Sequence, residues 1–148
     1  MRTIRFRGGR SDEYRALSNF CSSPFVLAGV TWPTVEHYFQ SAKGATEKDR
    51  EYVRKATSPR YARERGRTIK LTPCWDEQKD RVMLFALRAK FKQNPNLAEV
   101  LLGTGDAKLV EQAPWDVNSY WGIGRDGRGK NRLGKLLMKV RAELQNDE

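Results

Sequence analysis

Between Trp32 and Gly44 the chain reads WPTVEHYFQSAKG, a stretch with helix punctuation at both ends. Pro33 and Thr34 read as a helix start and Gly44 as its stop. The bracketed segment holds about two and a half turns at roughly 3.6 residues per turn. Val35, Phe39 and Ala42 fall on one stripe, which would face a core. Glu36, Gln40 and Lys43 fall on the neighbouring stripe, because spacings of four and three residues share a helix face. A carboxylate, an amide and an amine then point the same way from a helix anchored by apolar residues, and this is the candidate active site. Spacing alone leaves a solvated face as the alternative, since Glu–Lys pairs are common on exposed helices.

A chain of 148 residues can bury a core without covalent staples, and one domain over 1–148 is expected. Its 39% hydrophobic and 31% charged residues are those of a globular protein rather than a disordered one. No run is long enough to span a bilayer, and Met1-Arg2-Thr3-Ile4-Arg5-Phe6-Arg7 lacks the apolar core of a signal peptide. A cytoplasmic location and no membrane partner are the expectations. Cys21 and Cys74 show no metal-ligand spacing and read as reduced thiols. The net charge of +10 favours anionic partners: nucleic acid, nucleotides or phosphorylated metabolites.

Along the chain, Arg2, Arg5, Arg7 and Arg10 alternate with Ile4 and Phe6, predicting a first strand that Gly8 and Gly9 break. Glu13 to Phe20 has no clean period and reads as a loop, and Pro24 to Val30 as a small hairpin. Thr46 and Ser58-Pro59 read as caps of two further helices, the second ending near Gly66. The clearest helix is predicted from Pro73 to about Gln93, with Thr72 as N-cap. Its apolar face joins Val82, Phe85, Ala86 and Ala89 to Met83, Leu87 and Phe91. Asn94-Pro95 opens a short helix to Gly103, Lys108 to Glu111 reads as a strand, and a last helix starts near Asn131. The fold class is α+β, a single helix-rich domain with a small β-sheet.

Gly122-Ile123-Gly124-Arg125-Asp126-Gly127-Arg128-Gly129-Lys130 imitates two nucleotide motifs. As a P-loop it fails because Asn131 stands where a magnesium-binding Ser or Thr is needed. As a dinucleotide fingerprint it fails because no second parallel strand follows the helix. What remains is a glycine-rich turn ahead of a helix N-terminus, expected to offer backbone N–H groups to a phosphate.

Taken together these stretches resemble the NADAR family. The matching residues are Leu17-Ser18-Asn19-Phe20; Trp32 to Gln40 with Lys43; Ala62-Arg63 with Gly66-Arg67; Trp75; Val82-Met83; and Ala86 to Phe91. Further on they are Leu101-Leu102 with Thr104, Leu109-Val110-Glu111, Trp121-Gly122 with Gly124, Gly127, Gly129 and Asn131, and Leu133-Gly134 with Leu136-Leu137-Met138. The resemblance implies an N-glycosidase that hydrolyses phosphoribosylamino-pyrimidine intermediates of riboflavin biosynthesis and releases ribose 5-phosphate. Its partner is then a small phosphorylated nucleoside-like substrate. Other members remove ADP-ribose from guanine bases, which would make ADP-ribosylated nucleic acid the partner. Glu36 and Lys43 are the implied catalytic pair. Asn19, Phe20, Trp32, Arg67, Trp75, Trp121, Gly122, Gly127, Lys130 and Asn131 are the implied substrate-binding residues. The family carries an Asp three residues before the Trp of its Trp-Gly pair; here that position is Asn118, with Asp116 two residues earlier, so either of these is expected in the pocket.

Two mechanisms suit the pair. Lys43 attacks the sugar C1 to form a transient Schiff base while Glu36 shuttles protons, or Glu36 activates water and Lys43 neutralises phosphate. The first needs a neutral amine, so burial and nearby arginines must outweigh the helix dipole that stabilises the ammonium. His37 is expected to be a hydrogen-bonded structural residue. No metal and no cofactor are expected, because no cluster has metal-ligand spacing. The rival from another class is a non-catalytic module that binds ADP-ribose or nucleic acid.

Overall fold

The computed structural model describes residues 2–7, 12–113 and 119–147. The strand break expected at Gly8-Gly9, and both Asp116 and Asn118, lie outside the described residues. In chain order the elements are β1 (Thr3–Phe6), a 3-10 turn (Glu13–Leu17), β2 (Phe25–Leu27), β3 (Val30–Trp32), α1 (Val35–Ala42), α2 (Glu47–Arg54) and α3 (Pro59–Gly66). They continue with α4 (Trp75–Gln93), α5 (Pro95–Gly103), β4 (Lys108–Glu111) and α6 (Arg132–Asn146). The α+β class holds. The sheet is two separate pairs: β1 with β4, parallel, and the β2–β3 hairpin, antiparallel.

Side-chain caps set three helix starts. Thr34 accepts from the His37 N–H at 3.1 Å, Thr46 from Asp49 at 3.1 Å and Ser58 from Tyr61 at 3.1 Å. Each hydroxyl satisfies an N–H that the first helical turn leaves without a partner. Where the sequence reading expected a loop, Asp12 caps the 3-10 turn by accepting from Tyr14 at 3.0 Å; a turn so short shows no period. The start of α4 also moves. Thr72 donates to the Lys43 carbonyl at 2.8 Å, Ala45 donates to Lys70 at 2.9 Å, and Leu71 bridges to Gly44. That pairing holds 70–72 extended, so the helix begins at Trp75, behind Cys74 in a left-handed conformation.

The chain divides into two compact units, Asn19–Asn94 and the combination of Met1–Ser18 with Pro95–Glu148. In the first, α1 packs on α2, α3 and α4, and the hairpin covers the other end of α4. In the second, α6 packs on β4 and α5, and α5 also meets the 3-10 turn. Asn131, buried and left-handed at the head of α6, donates to Leu109 at 2.9 Å and accepts from Glu111 at 3.1 Å. Its amide therefore pairs with β4 as a neighbouring strand's peptide group would. Cys21 is buried and Cys74 exposed, and neither is bridged. Among the described residues no helix is long and apolar enough to cross a membrane.

The α4 core face differs from the expected one. Phe85 is 44% exposed, and Lys90 lies fully buried between Ala89 and Phe91, its ammonium 4.9 Å from the Phe91 ring centroid. Burial lowers the Lys90 pKa from 10.5 to about 8, with Cys21 opposing the shift. Between those values the unfolded chain holds a proton that the folded chain has released, so stability rises with pH from about 8 to 10.5 and is least below that window. At about 1.4 kcal/mol per pH unit, the rise is roughly 3 kcal/mol. Urea unfolding of wild type and Lys90→Met across this window is expected to show a steeper rise in wild type, the lowered pKa of Lys43 contributing to both. An equal rise in both would contradict this assignment.

Candidate active site

The register of α1 turns Glu36, Gln40 and Lys43 to one side. The Glu36 side chain is only 5% exposed, and its Oε2 accepts from Gln40 Nε2 at 2.8 Å and from Arg63 Nε at 3.2 Å. Both bonds fall on Oε2, so Oε1 has no hydrogen bond among the described residues. The Arg63 guanidinium also lies over the Phe20 ring, 4.5 Å from its centroid. Such stacking contributes about 0.5–2 kcal/mol and fixes the plane of the fork that meets Glu36. Asn19 accepts from the Glu36 backbone N–H at 3.2 Å and so holds the first turn of α1. Its Nδ2 faces the Met83 sulfur at 3.6 Å, while its buried Oδ1 has no hydrogen bond among the described residues.

Gly66 completes the cluster by being small. A Cβ there would strike the Gln40 side-chain amide, whose buried Oε1 has no hydrogen bond among the described residues. The close approach of α3 keeps the Gln40 NH₂ aimed at Glu36.

Lys43, just past α1, is half-buried. Its pKa is lowered, first by burial; Glu36 raises it, and Arg67 and Arg63 lower it. These are the two influences the sequence reading required to outweigh the helix dipole. The cluster thus combines a carboxylate with one unbonded oxygen and an amine biased toward its neutral form, the pairing that nucleophilic and proton-transfer chemistry at a carbon centre uses.

The remaining residues of this unit divide. Trp75 packs on Phe39 with ring centroids 5.2 Å apart, and Arg67 caps α3. Trp32 is turned into the hairpin: its indole donates to Leu27 at 3.1 Å and its ring meets Tyr38 edge-on at 5.1 Å. His37 is buried, its Nε2 2.9 Å from the Ala56 carbonyl and its Nδ1 2.8 Å from the Thr34 hydroxyl. A carbonyl only accepts, so Nε2 carries the hydrogen, and in the neutral ring Nδ1 accepts from Thr34. Both ring nitrogens are committed to structure.

In the other unit, Trp121 meets Tyr120 edge-on at 5.0 Å, and the Lys130 ammonium lies 5.5 Å from the Tyr120 ring centroid. The glycine loop corrects one expectation. The backbone N–H groups of Lys130, Asn131, Arg132 and Leu133 donate to Ser119, Gly122, Tyr120 and Trp121, at 3.2, 2.9, 3.1 and 3.0 Å. Gly129 donates to Ile123 at 2.7 Å, and Gly122 to the Ser119 hydroxyl at 2.8 Å. The turn folds back on itself, so the amides expected to hold a phosphate at the α6 N-terminus are already bonded. Gly127 is exposed, with a left-handed φ of 76°. Among the described residues no group of three or more His, Cys, Asp or Glu could hold a metal ion.

Arg63 is the cluster residue the chemistry-based reading missed. It lies 27 residues from Glu36, and only the resemblance drew notice to that stretch. Competitive acylation against pH measures what this environment does. Lys43 is expected to reach half-reaction at lower pH than the exposed Lys139. Glu36→Gln should lower that midpoint further, because the carboxylate raises it, and Arg67→Gln should raise it. A Lys43 midpoint equal to that of Lys139 would remove the bias toward the neutral amine.

The NADAR domain sequence model matches residues 5–145. N-glycosidase YbiA of Escherichia coli is 48% identical over 136 residues, covering 90% of this chain and 84% of the relative. The NMR structure of E. coli YbiA superposes with a TM-score of 0.87 at 44% identity, covering 99% of this chain and 88% of that one. A riboflavin biosynthesis protein of Vibrio vulnificus, VVA0006, is 39% identical over 136 residues, covering 90% of this chain and 36% of that protein. With the match spanning nearly its whole length, the chain belongs to the NADAR domain family, among its N-glycosidases.

Proposed function

We propose that this protein hydrolyses the N-glycosidic bond of phosphoribosylamino-pyrimidine intermediates of riboflavin biosynthesis, releasing ribose 5-phosphate and the free aminopyrimidine. The observation that carries the reading is the pairing on α1: a half-buried Lys43 with a lowered pKa beside a buried Glu36 whose Oε1 makes no hydrogen bond. The name of the Vibrio relative supports the substrate class. Arg63 and Arg67, which both bear on Lys43, suit an anionic ligand.

An aminopyrimidine riboside is an N,O-acetal: its ring oxygen takes a proton from water, and the C1–O4′ bond breaks to leave a protonated imine at C1. That proton returns to solvent in the closing hydrolysis. The neutral Lys43 Nζ adds its lone pair to C1, and Glu36 takes the proton that Nζ sheds. The carboxyl returns that proton to the base nitrogen as the C1–N bond breaks, and the aminopyrimidine leaves as a neutral amine. Water then adds to the Lys43 imine, Nζ departs with a proton, and ribose 5-phosphate is freed. Gln40 and Arg63 hold Oε2 throughout, so the exchange runs through Oε1.

Base release measured by chromatography, with 5-amino-6-ribosylaminouracil 5′-phosphate and ADP-ribosylated guanosine in DNA as parallel substrates, tests the reading. Release is expected from the first. Glu36→Gln and Lys43→Ala should each lower kcat/KM by about 10²–10⁴, the usual contribution of a positioned proton-transfer group. Release from the DNA substrate alone would overturn the metabolite assignment, and near-wild-type activity in Lys43→Ala would overturn the covalent route.

A further inference from the structure

Two arginines of the unit Asn19–Asn94 meet glutamates in different ways. Arg54 grips Glu51 with a closed fork, Nε to Oε1 at 2.8 Å and Nη2 to Oε2 at 2.7 Å. A guanidinium and a carboxylate favour that arrangement, because each oxygen then accepts a charge-assisted hydrogen bond. Arg63 reaches Glu36 by one bond alone, Nε to Oε2 at 3.2 Å. Among the described residues neither Arg63 Nη makes a hydrogen bond, and Glu36 Oε1 accepts none. Donors and acceptor for the second half of a fork are present in one cluster, yet that bond is not made. Solvent does not account for the difference. The Glu36 side chain is 5% exposed against 39% for Glu51, and a drier carboxylate gains more from each hydrogen bond.

The neighbours of the pair say what keeps the fork open. Gln40 Nε2 donates to the same Oε2 at 2.8 Å, so the carboxylate cannot turn Oε1 toward Arg63 without straining that bond. Gln40 is itself confined by Gly66, where a Cβ would run into its amide. Closure is therefore left to the guanidinium, and Phe20 holds the guanidinium. The Arg63 Cζ lies over the Phe20 ring, 4.5 Å from its centroid. That is inside the roughly 6 Å over which a ring face attracts a cation. With one hydrogen bond at Nε and none at either Nη, the Arg63 head takes its orientation from this contact.

We propose that Phe20 is a positioning residue for the glycosidase reaction. By seating the Arg63 guanidinium over its ring, it stops the fork from closing on Glu36 and keeps Oε1 open for proton transfer. This rests on the reading that Oε1 carries the proton exchange. Phe20 then acts through Arg63 and Glu36 rather than by holding the substrate, the role that the family resemblance implies for it.

Crystal structures and steady-state base release of Phe20→Leu, Phe20→Tyr, Arg63→Lys and the double variant Phe20→Leu/Arg63→Lys test this. In Phe20→Leu, Arg63 is expected to bond both oxygens of Glu36, and kcat to fall about tenfold or more with KM unchanged, as misplacing a reacting group does. Phe20→Tyr keeps a ring face, so it should keep the single bond and the wild-type kcat. A lysine has no fork to close, so adding Phe20→Leu to Arg63→Lys should leave kcat where Arg63→Lys put it. Phe20 is only partly buried, and urea unfolding midpoints check that the variants fold. Should Phe20→Leu not fold, Phe20→Met also removes the ring and carries the same expectation. Arg63 still bonded to Oε2 alone without the ring, or closure with kcat unchanged, would overturn the proposal. So would a raised KM at constant kcat, which marks a ring that holds substrate, or the same fold-loss of kcat in the Arg63→Lys background as in wild type. Absence of base release from wild type would sink the glycosidase substrate reading, and the geometry of Arg63 in Phe20→Leu would still decide whether the ring holds the fork open. Base release with Arg63 unmoved in that variant would sink this proposal alone.

Discussion

A buried carboxylate must find partners, and much of the unit 19–94 is arranged to give Glu36 its own. Desolvating such a group costs several kcal/mol unless hydrogen bonds and opposite charge offset it. Gln40 supplies one bond from the next turn of the same helix, and Arg63 supplies the other from α3. Arg63 reaches only because α3 lies close against α1, and that approach depends on Gly66 having no side chain where Gln40 sits. Phe20 stacks on the same guanidinium and Asn19 holds the backbone of Glu36, so the loop before the hairpin is tied to the same carboxylate.

The opposite side of α1 explains how so short a helix holds its register. His37 spans Thr34 and the Ala56 carbonyl, and the Ser41 hydroxyl donates to Arg50 at 2.8 Å, fastening α1 to α2 and the turn after it. The segment after α1 is fastened as well, through the bond between the Lys43 carbonyl and Thr72. With both ends and the rear face pinned, Glu36 and Lys43 keep a fixed separation in a partly dry setting. Such a setting biases the amine toward its neutral form while the carboxyl keeps one oxygen unbonded.

Much of this could be read from the sequence because it is local. The caps at Thr34, Thr46 and Ser58 act over three residues, and the shared face of Glu36, Gln40 and Lys43 follows from helix geometry alone. What stayed hidden depends on distant contacts. Thr72-Pro73 carries a valid start signal, overridden by pairing with the segment around Gly44. Lys90 is no part of the expected apolar stripe, because a charged side chain in sequence gives no sign of burial, yet it lies in the core. The glycine loop has the composition of an anion cradle, but its amides close on carbonyls of the same loop, which no composition could reveal. Arg63 is one of a run of basic residues in α3, and only tertiary packing selects it.

Family membership and the α1 cluster together favour an N-glycosidase that works through its lysine, and that claim can be tested by trapping. Enzyme incubated with the proposed phosphoribosylamino-pyrimidine substrate would be quenched with borohydride, digested, and its peptides weighed. The account predicts one reduced pentose phosphate adduct, carried on Lys43 and absent when substrate is omitted. Released base with Lys43 unmodified and no adduct on any peptide would contradict it, leaving direct attack by water.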